Sequence, residues 1–161
     1  MKSFLKGFVY AGKGVYYCFS HERNMRFHLC VAAYMFGFLT VFDFFEVSKA
    51  EIAVLLGFCA LVLSLEAVNT ALERAVNLVT REQHPLAGAA KDAAAGAVLI
   101  SAIFAVIAGI VILYQPEAFH KMAVYYTENP LILAVLIVTI IISVIFVLLP
   151  SYIAERRKNN G

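Results

Sequence analysis

Apolar residues in this chain come in long runs, and the polar positions that interrupt them are few and clustered. Residues 27–45, FHLCVAAYMFGFLTVFDFF, form the first run, with Asp43 near its far end. A second begins at Ile52, carries no charge until Glu66, and continues as a helix to about Thr80. TREQHPLAG then breaks the pattern around Pro85. The third run is uncharged from Ala93 to Tyr114, and a linker, QPEAFHKMAVYYTENP, follows it. The fourth, LILAVLIVTIIISVIFVLL at 131–149, carries no charge at all. A helix needs about 20 apolar residues to cross hydrocarbon, so the pattern predicts four spans.

The start of the chain has a different period. In SFLKGFVYAGKGVYYCF, residues 3–19, Phe4, Phe8, Val15 and Phe19 fall near one helical face and Lys6 and Lys13 on another. This is the pattern of a basic amphipathic helix lying on a membrane surface, with Tyr16 and Tyr17 as interfacial anchors. Gly7, Gly12 and Gly14 weaken that helix, and a frayed basic arm is the alternative. No cleavable signal peptide is expected, because Lys2, Lys6, Lys13, Arg23 and Arg26 interrupt the first 26 residues.

Composition fixes the class. Hydrophobic residues make up 62% and charged residues 15%, with a mean hydropathy of +0.82. Soluble domains run at about 45–50% apolar and about 25% charged, so an all-α integral membrane protein is expected. Cys18, Cys30 and Cys59 lack paired spacing and read as small hydrophobes. The net charge of +2 matters less than its distribution. Lys and Arg concentrate in the N-terminal segment, in 74–92 (Arg74, Arg81, Lys91) and in the tail (Arg156, Arg157, Lys158). The 43–51 and 115–129 loops hold only Lys49 and Lys121. The positive-inside bias then puts both chain ends on the cytoplasmic side of the cell's inner membrane.

The candidate chemistry lies at that cytoplasmic level. Glu66, Asn69 and Glu73 are spaced i, i+3, i+7 and form one stripe, which Asn77 extends. Ionisable groups at membrane depth are costly and face a protein interior or a wet cavity. One carboxylate of the stripe can act as a base while the other helps hold a divalent ion. A packing seam neutralised by Arg74 and Arg81 is the competing reading. Glu22, in SHERN before the first span, is the only acid in the first 42 residues and lies at the membrane level of Glu73. Two carboxylates completed by phosphate oxygens and water suit Mg²⁺; a plain ion pair of Glu22 with Arg23 or Arg26 is the alternative. EQHPLAGAAKD places Glu82, His84, Lys91 and Asp92 on the turn into the third span. Asp92 suits the start of a helix and Lys91 does not, which points to an anionic partner such as a nucleotide phosphate. Gly88 and the small residues around it permit close approach of a helix or a ligand.

No GxxxxGK[ST], GxGxxG or kinase catalytic-loop motif is present, and the four histidines show no metal-pair spacing. Nothing suggests a nucleic-acid partner. The stretch E-x-x-N-T-A-x-E-R-x-V-N-L-V-T-x-E-x-H-P-L-A-x-x-A-K-D-x-A-A-G-A-V-L, from Glu66 onward, resembles the small prokaryotic diacylglycerol kinase family, over about residues 4–114. E-R-N-x-R-x-H at 22–28 resembles its Gram-positive branch, whose members are undecaprenol kinases.

That resemblance implies a homotrimer of three-span subunits, each with a surface helix, that phosphorylates a membrane lipid hydroxyl with MgATP. It implies Glu66 as general base, with Asn69 supporting the site. Glu22 and Glu73 become the metal ligands, and Glu82, His84, Lys91 and Asp92 the nucleotide contacts. Residues 1–115 are then the kinase unit; 116–161 add a linker, a fourth span expected to be peripheral, and a basic cytoplasmic tail. Asn77 stands where many members have Asp. Undecaprenol is the expected substrate and diacylglycerol the nearest rival. An ion-coupled transporter would want a midplane carboxylate, and an inactive scaffold would not need the full set of acids.

Overall fold

The structure, a computed structural model, describes residues 2–80, 82 and 84–159, with side chains for 4–80, 82 and 84–150. Its six helices are α1 (Lys2–His21), α2 (Arg23–Val41), α3 (Lys49–Val79), α4 (Pro85–Leu113), α5 (Pro116–Glu128) and α6 (Pro130–Asn159). No strand occurs among the described residues. Helices α3 and α4 pack most extensively along one another; α2 lies against α3 on one side and α6 on the other, and α1 touches both α2 and α3.

Helix α1 runs unbroken through its three glycines. It leaves Phe4, Leu5, Phe8, Val9 and Tyr16 more than half exposed, an apolar surface fit for the membrane interface. Helices α3 and α4 and the Pro130–Pro150 part of α6 are long and apolar enough to cross a membrane. Helix α2, expected as the first of four spans, is not among them. It has 19 residues, about 28 Å at 1.5 Å per residue, and Arg23, Arg26 and His28 occupy its first two turns.

Two sequence expectations need correction at the opposite end. The first span does not continue to residue 45: α2 ends at Val41 and the chain turns through 43–45. The 115–129 linker is itself a helix, α5, started by Pro116, where a missing N–H costs nothing. One feature explains both. Phe42, Phe44 and Phe45 leave the helical path to pack on α5, with Phe44 against Tyr125 at 5.3 Å and Phe45 against Phe119 at 5.6 Å between ring centroids. The Gln115 amide clamps the turn, accepting from Glu46 N–H and donating to the Glu46 carbonyl, each at 3.0 Å. Burial in this cluster, followed by the influence of Tyr125, pushes the Tyr126 phenol above its ordinary pKa.

The long helices start where the sequence supplies caps. Ser48 and Glu51 form a reciprocal capping box at α3. His84 caps α4 by accepting the Leu86 N–H at Nδ1, 3.3 Å away, with Pro85 at the first helical position. Among the described residues no atom lies close to the open face of Gly88 or Gly96, although Ala90, Ala94 and Ala97 of the same run are half-buried.

Helix α6 packs on α2 and α5, and it is anchored. Arg26 is 1% exposed. It donates to the Phe19 and Ser20 carbonyls at 3.4 and 3.1 Å, and to the Val147 carbonyl at 3.1 Å. One guanidinium therefore serves the C-terminal carbonyls of α1 and a carbonyl of α6 just before Pro150, whose ring disturbs the local ladder. Tyr34 and Ser143 add a hydroxyl contact at 3.1 Å. The side chains of Arg156, Arg157 and Lys158 lie outside the described residues.

Replacing Arg26 by Leu removes a buried charged donor and strands up to three carbonyls. The Arg26→Leu chain should lose about 3 kcal/mol of stability, read as a lower unfolding midpoint in detergent. An unchanged midpoint would show that these carbonyls find other partners.

Candidate active site

Helix α3 sets the depths of the acids. At 1.5 Å per residue from Ile52, Glu66 lies about 21 Å along the apolar stretch and Glu73 about 31 Å, beside a hydrocarbon thickness of about 30 Å. Glu66 is 3% exposed, deep for a carboxylate. Its Oε1 lies 3.5 Å from Nε2 of His28 on α2, which is 22% exposed. One turn further along α3, Asn69 Nδ2 donates to Glu73 Oε1 at 3.4 Å. The carbonyl oxygen of Asn69 is buried with no hydrogen-bond partner among the described residues. A buried acceptor left open is rare in a finished core, and this one sits beside a carboxylate.

Glu22 is the residue before α2, in extended backbone. It pairs with Arg74, Nη2 to Oε1 at 3.4 Å, and not with Arg23 or Arg26. Arg74 also lies over the Tyr17 ring, 5.4 Å from its centroid, so α1, the start of α2 and α3 meet at one cation. Arg81, the other cation expected to neutralise the stripe, lies outside the described residues. No group of three His, Cys, Asp or Glu side chains gathers as a metal cage among the described residues.

The turn between α3 and α4 encloses a cavity of about 470 Å³, lined by Asn77, Thr80, Glu82, His84, Gly88 and Lys91 among others. That volume is in the range of small-ligand sites, and it opens at the N-terminus of α4, which attracts anions. Lys91 Nζ donates to Asn77 Oδ1 at 2.8 Å. The ammonium is thus held over the cavity by a neutral oxygen, with its charge uncompensated by that contact. His84 serves two purposes, since its Nδ1 is committed to the cap. Asp92 is exposed on α4 and is not a wall of the cavity.

Of the expected site residues, the structure joins Asn69 to Glu73, and Glu82, His84 and Lys91 around one cavity. It pairs Glu66 and Glu22 with groups the sequence reading had not assigned, His28 and Arg74. A signal for His28 existed: a carboxylate at membrane depth needs a partner, and His28 stands at the start of the neighbouring span.

Comparison with known proteins bears on the same helices. The family model for prokaryotic diacylglycerol kinase matches residues 9–113. The chain belongs to this family. It is 41% identical to the undecaprenol kinase of Bacillus subtilis over 114 residues, 70% of this chain and 89% of that protein. It is 42% identical over 113 residues to a diacylglycerol kinase of Synechocystis, 70% of this chain and 63% of that protein. A diacylglycerol kinase of Haemophilus influenzae is 34% identical over 92 residues, 57% of this chain and 75% of that protein. No solved structure matches the chain. Membership makes the chain an ATP-dependent lipid kinase of the membrane. The matched segment stops at the end of α4, so α5 and α6 lie outside it.

Asn77 offers a direct check of the Lys91 contact. An aspartate there keeps an oxygen at 2.8 Å, so Asn77→Asp should leave turnover within about threefold. A loss of tenfold or more would show that the neutral amide is required.

Proposed function

We propose that this chain is an undecaprenol kinase, transferring the γ-phosphoryl group of ATP to the terminal hydroxyl of a polyprenol to give undecaprenyl phosphate. The observation that carries the reading is the buried carboxylate of Glu66, set one turn from Asn69 and two from Glu73 on a helix that ends at a cavity lined by Lys91. Phosphoryl transfer asks for positioning and charge neutralisation more than covalent chemistry. Glu66 takes the hydroxyl proton, the lipid oxygen attacks the γ-phosphorus, and ADP departs with the electrons of the broken bond. Lys91, at the N-terminal end of α4, meets the phosphates. Glu82 and His84 flank the nucleotide, and Asp92 contacts it from the exposed side.

A divalent ion fits the oxygen donors here. Asn69 Oδ1 is a buried acceptor without a partner among the described residues, Glu73 is beside it, and Mg²⁺ takes few protein ligands. We assign Glu73 and Glu22 to hold it. The Glu22–Arg74 pair is half exposed on the arginine side, and such pairs are worth about 0–1 kcal/mol, so it yields readily to an ion. The ion would supply neutralisation of the phosphate charge.

Residues 1–115 form the kinase unit on this reading. The chain works as a homotrimer, a proposal supported by the unpacked small-residue face of α4 at Gly88 and Gly96. The Lys/Arg bias supports placing the acids and the cavity on the cytoplasmic face of the bacterial inner membrane. Diacylglycerol is the second candidate substrate, favoured by the Synechocystis relative at 42% identity.

The test is transfer of label from γ-labelled MgATP to undecaprenol by the detergent-purified chain. Label should appear in undecaprenyl phosphate; its absence from a folded sample would reject the assignment. Lys91→Ala should raise the KM for ATP about tenfold, the loss of one charge-assisted contact; an unchanged KM would remove Lys91 from the nucleotide site. Glu22→Gln and Glu73→Gln should each raise the Mg²⁺ concentration needed for half-maximal rate. An unchanged requirement in both would overturn the metal assignment.

A further inference from the structure

A base as deeply buried as Glu66 must also discharge the proton it collects. We propose that His28 is a positioning residue that acts through Glu66 by receiving its proton, an inference that rests on Glu66 acting as base. Helix α2 presents the imidazole Nε2 at 3.5 Å from Glu66 Oε1. Contacts of this kind are commonly long in ligand-free sites and tighten around the substrate. The exposures differ in the useful direction, 3% for Glu66 and 22% for His28. His28 lines a groove of about 340 Å³ among α2, α3 and α4 whose other walls are almost entirely apolar. Phe27, edge to face with the imidazole at 5.5 Å, limits its rotation.

Other groups near His28 do not fill this role. The groove's α4 wall is Ala102, Ala105, Val106 and Gly109, without a titratable side chain, and α3 adds the Cys59 thiol. Arg26, on the same helix as His28, is turned to the carbonyls of Phe19, Ser20 and Val147. Glu73, two turns along α3, is engaged with Asn69. Among the described residues, His28 is the group within ion-pair distance of Glu66.

The proton balance closes through this pair. The lipid O–H bond breaks and its proton goes to the Glu66 carboxylate. The freed oxygen bonds to the γ-phosphorus as the bond to ADP breaks, its electron pair leaving on ADP. The proton then passes to Nε2, the ring nitrogen that the contact places nearest, of a histidine that carries its own hydrogen on Nδ1. Release from the imidazolium to water restores both side chains. Without the imidazole, Glu66 has no other acceptor within ion-pair distance among the described residues.

The test compares wild type, His28→Gln, His28→Ala and Glu66→Gln as full chains in mixed micelles with undecaprenol and MgATP. Glutamine keeps a donor near Glu66 but cannot take up a proton, and it guards against a folding defect in the alanine variant. His28→Gln should lose about 10- to 100-fold in kcat, with the KM for ATP within twofold of wild type. Its solvent deuterium isotope effect on kcat should rise as proton departure becomes slow. A wild-type kcat in His28→Gln would overturn the proposal, and so would a slow variant with an unchanged isotope effect, which marks a misplaced carboxylate. The underlying base reading fails separately: Glu66→Gln would then remain active.

Discussion

The structure turns on one constraint, a carboxylate held where water is scarce. Glu66 lies at the end of fourteen uncharged positions on α3 and is almost wholly buried. An isolated charge there would cost far more than the chain's whole stability, so it must be paired, neutralised or put to use. The His28 contact from α2 answers that demand, and it explains why the first span is short and begins with polar residues. A more apolar α2 would bring nothing to Glu66. Function is placed at the expense of hydropathy on this helix alone; α4 and α6 carry no such burden.

The remaining helices hold α2 and α3 in place. Arg26 spends its donors on α1 and α6, so the surface helix and the additional span are tied to the helix that carries His28. Arg74 joins the end of α1 and the start of α2 to α3. At the opposite membrane face, the rings of 42–45 and α5 close the bundle. The candidate site thus sits at one end of the bundle, between two polar knots, with apolar contacts at the other end. Helix α6 meets α2 and α5 and touches α1 through the Phe19–Phe146 ring contact, and it lies beyond the family match.

Most of the architecture was legible from the sequence, because long uncharged runs have few alternatives in a membrane. The spans of α3, α4 and α6 and the surface helix follow from run length and punctuation. The aromatic turn at 42–45 was not legible. Phe42, Phe44 and Phe45 extend the apolar run, and only their packing on α5 shows that they have left the helix. Helix α5 was hidden for the related reason that its apolar residues are ringed by polar ones and read as a linker. In the site, Glu66, Asn69 and Glu73 announced themselves by spacing on one helix. Contacts between helices did not. Nothing in the order of residues says that Glu22 meets Arg74 rather than Arg26, or that Arg26 is buried.

The identity of the lipid is the point on which the functional reading most depends. It is tested most directly by offering undecaprenol and diacylglycerol together, at equal mole fraction in the same micelles, and counting the label from MgATP in each product. Undecaprenyl phosphate should exceed phosphatidic acid by at least about tenfold, a modest discrimination for a pocket built of apolar side chains. Phosphatidic acid as the main product would contradict the polyprenol assignment, and no labelled lipid from a folded, ATP-binding chain would contradict the kinase itself.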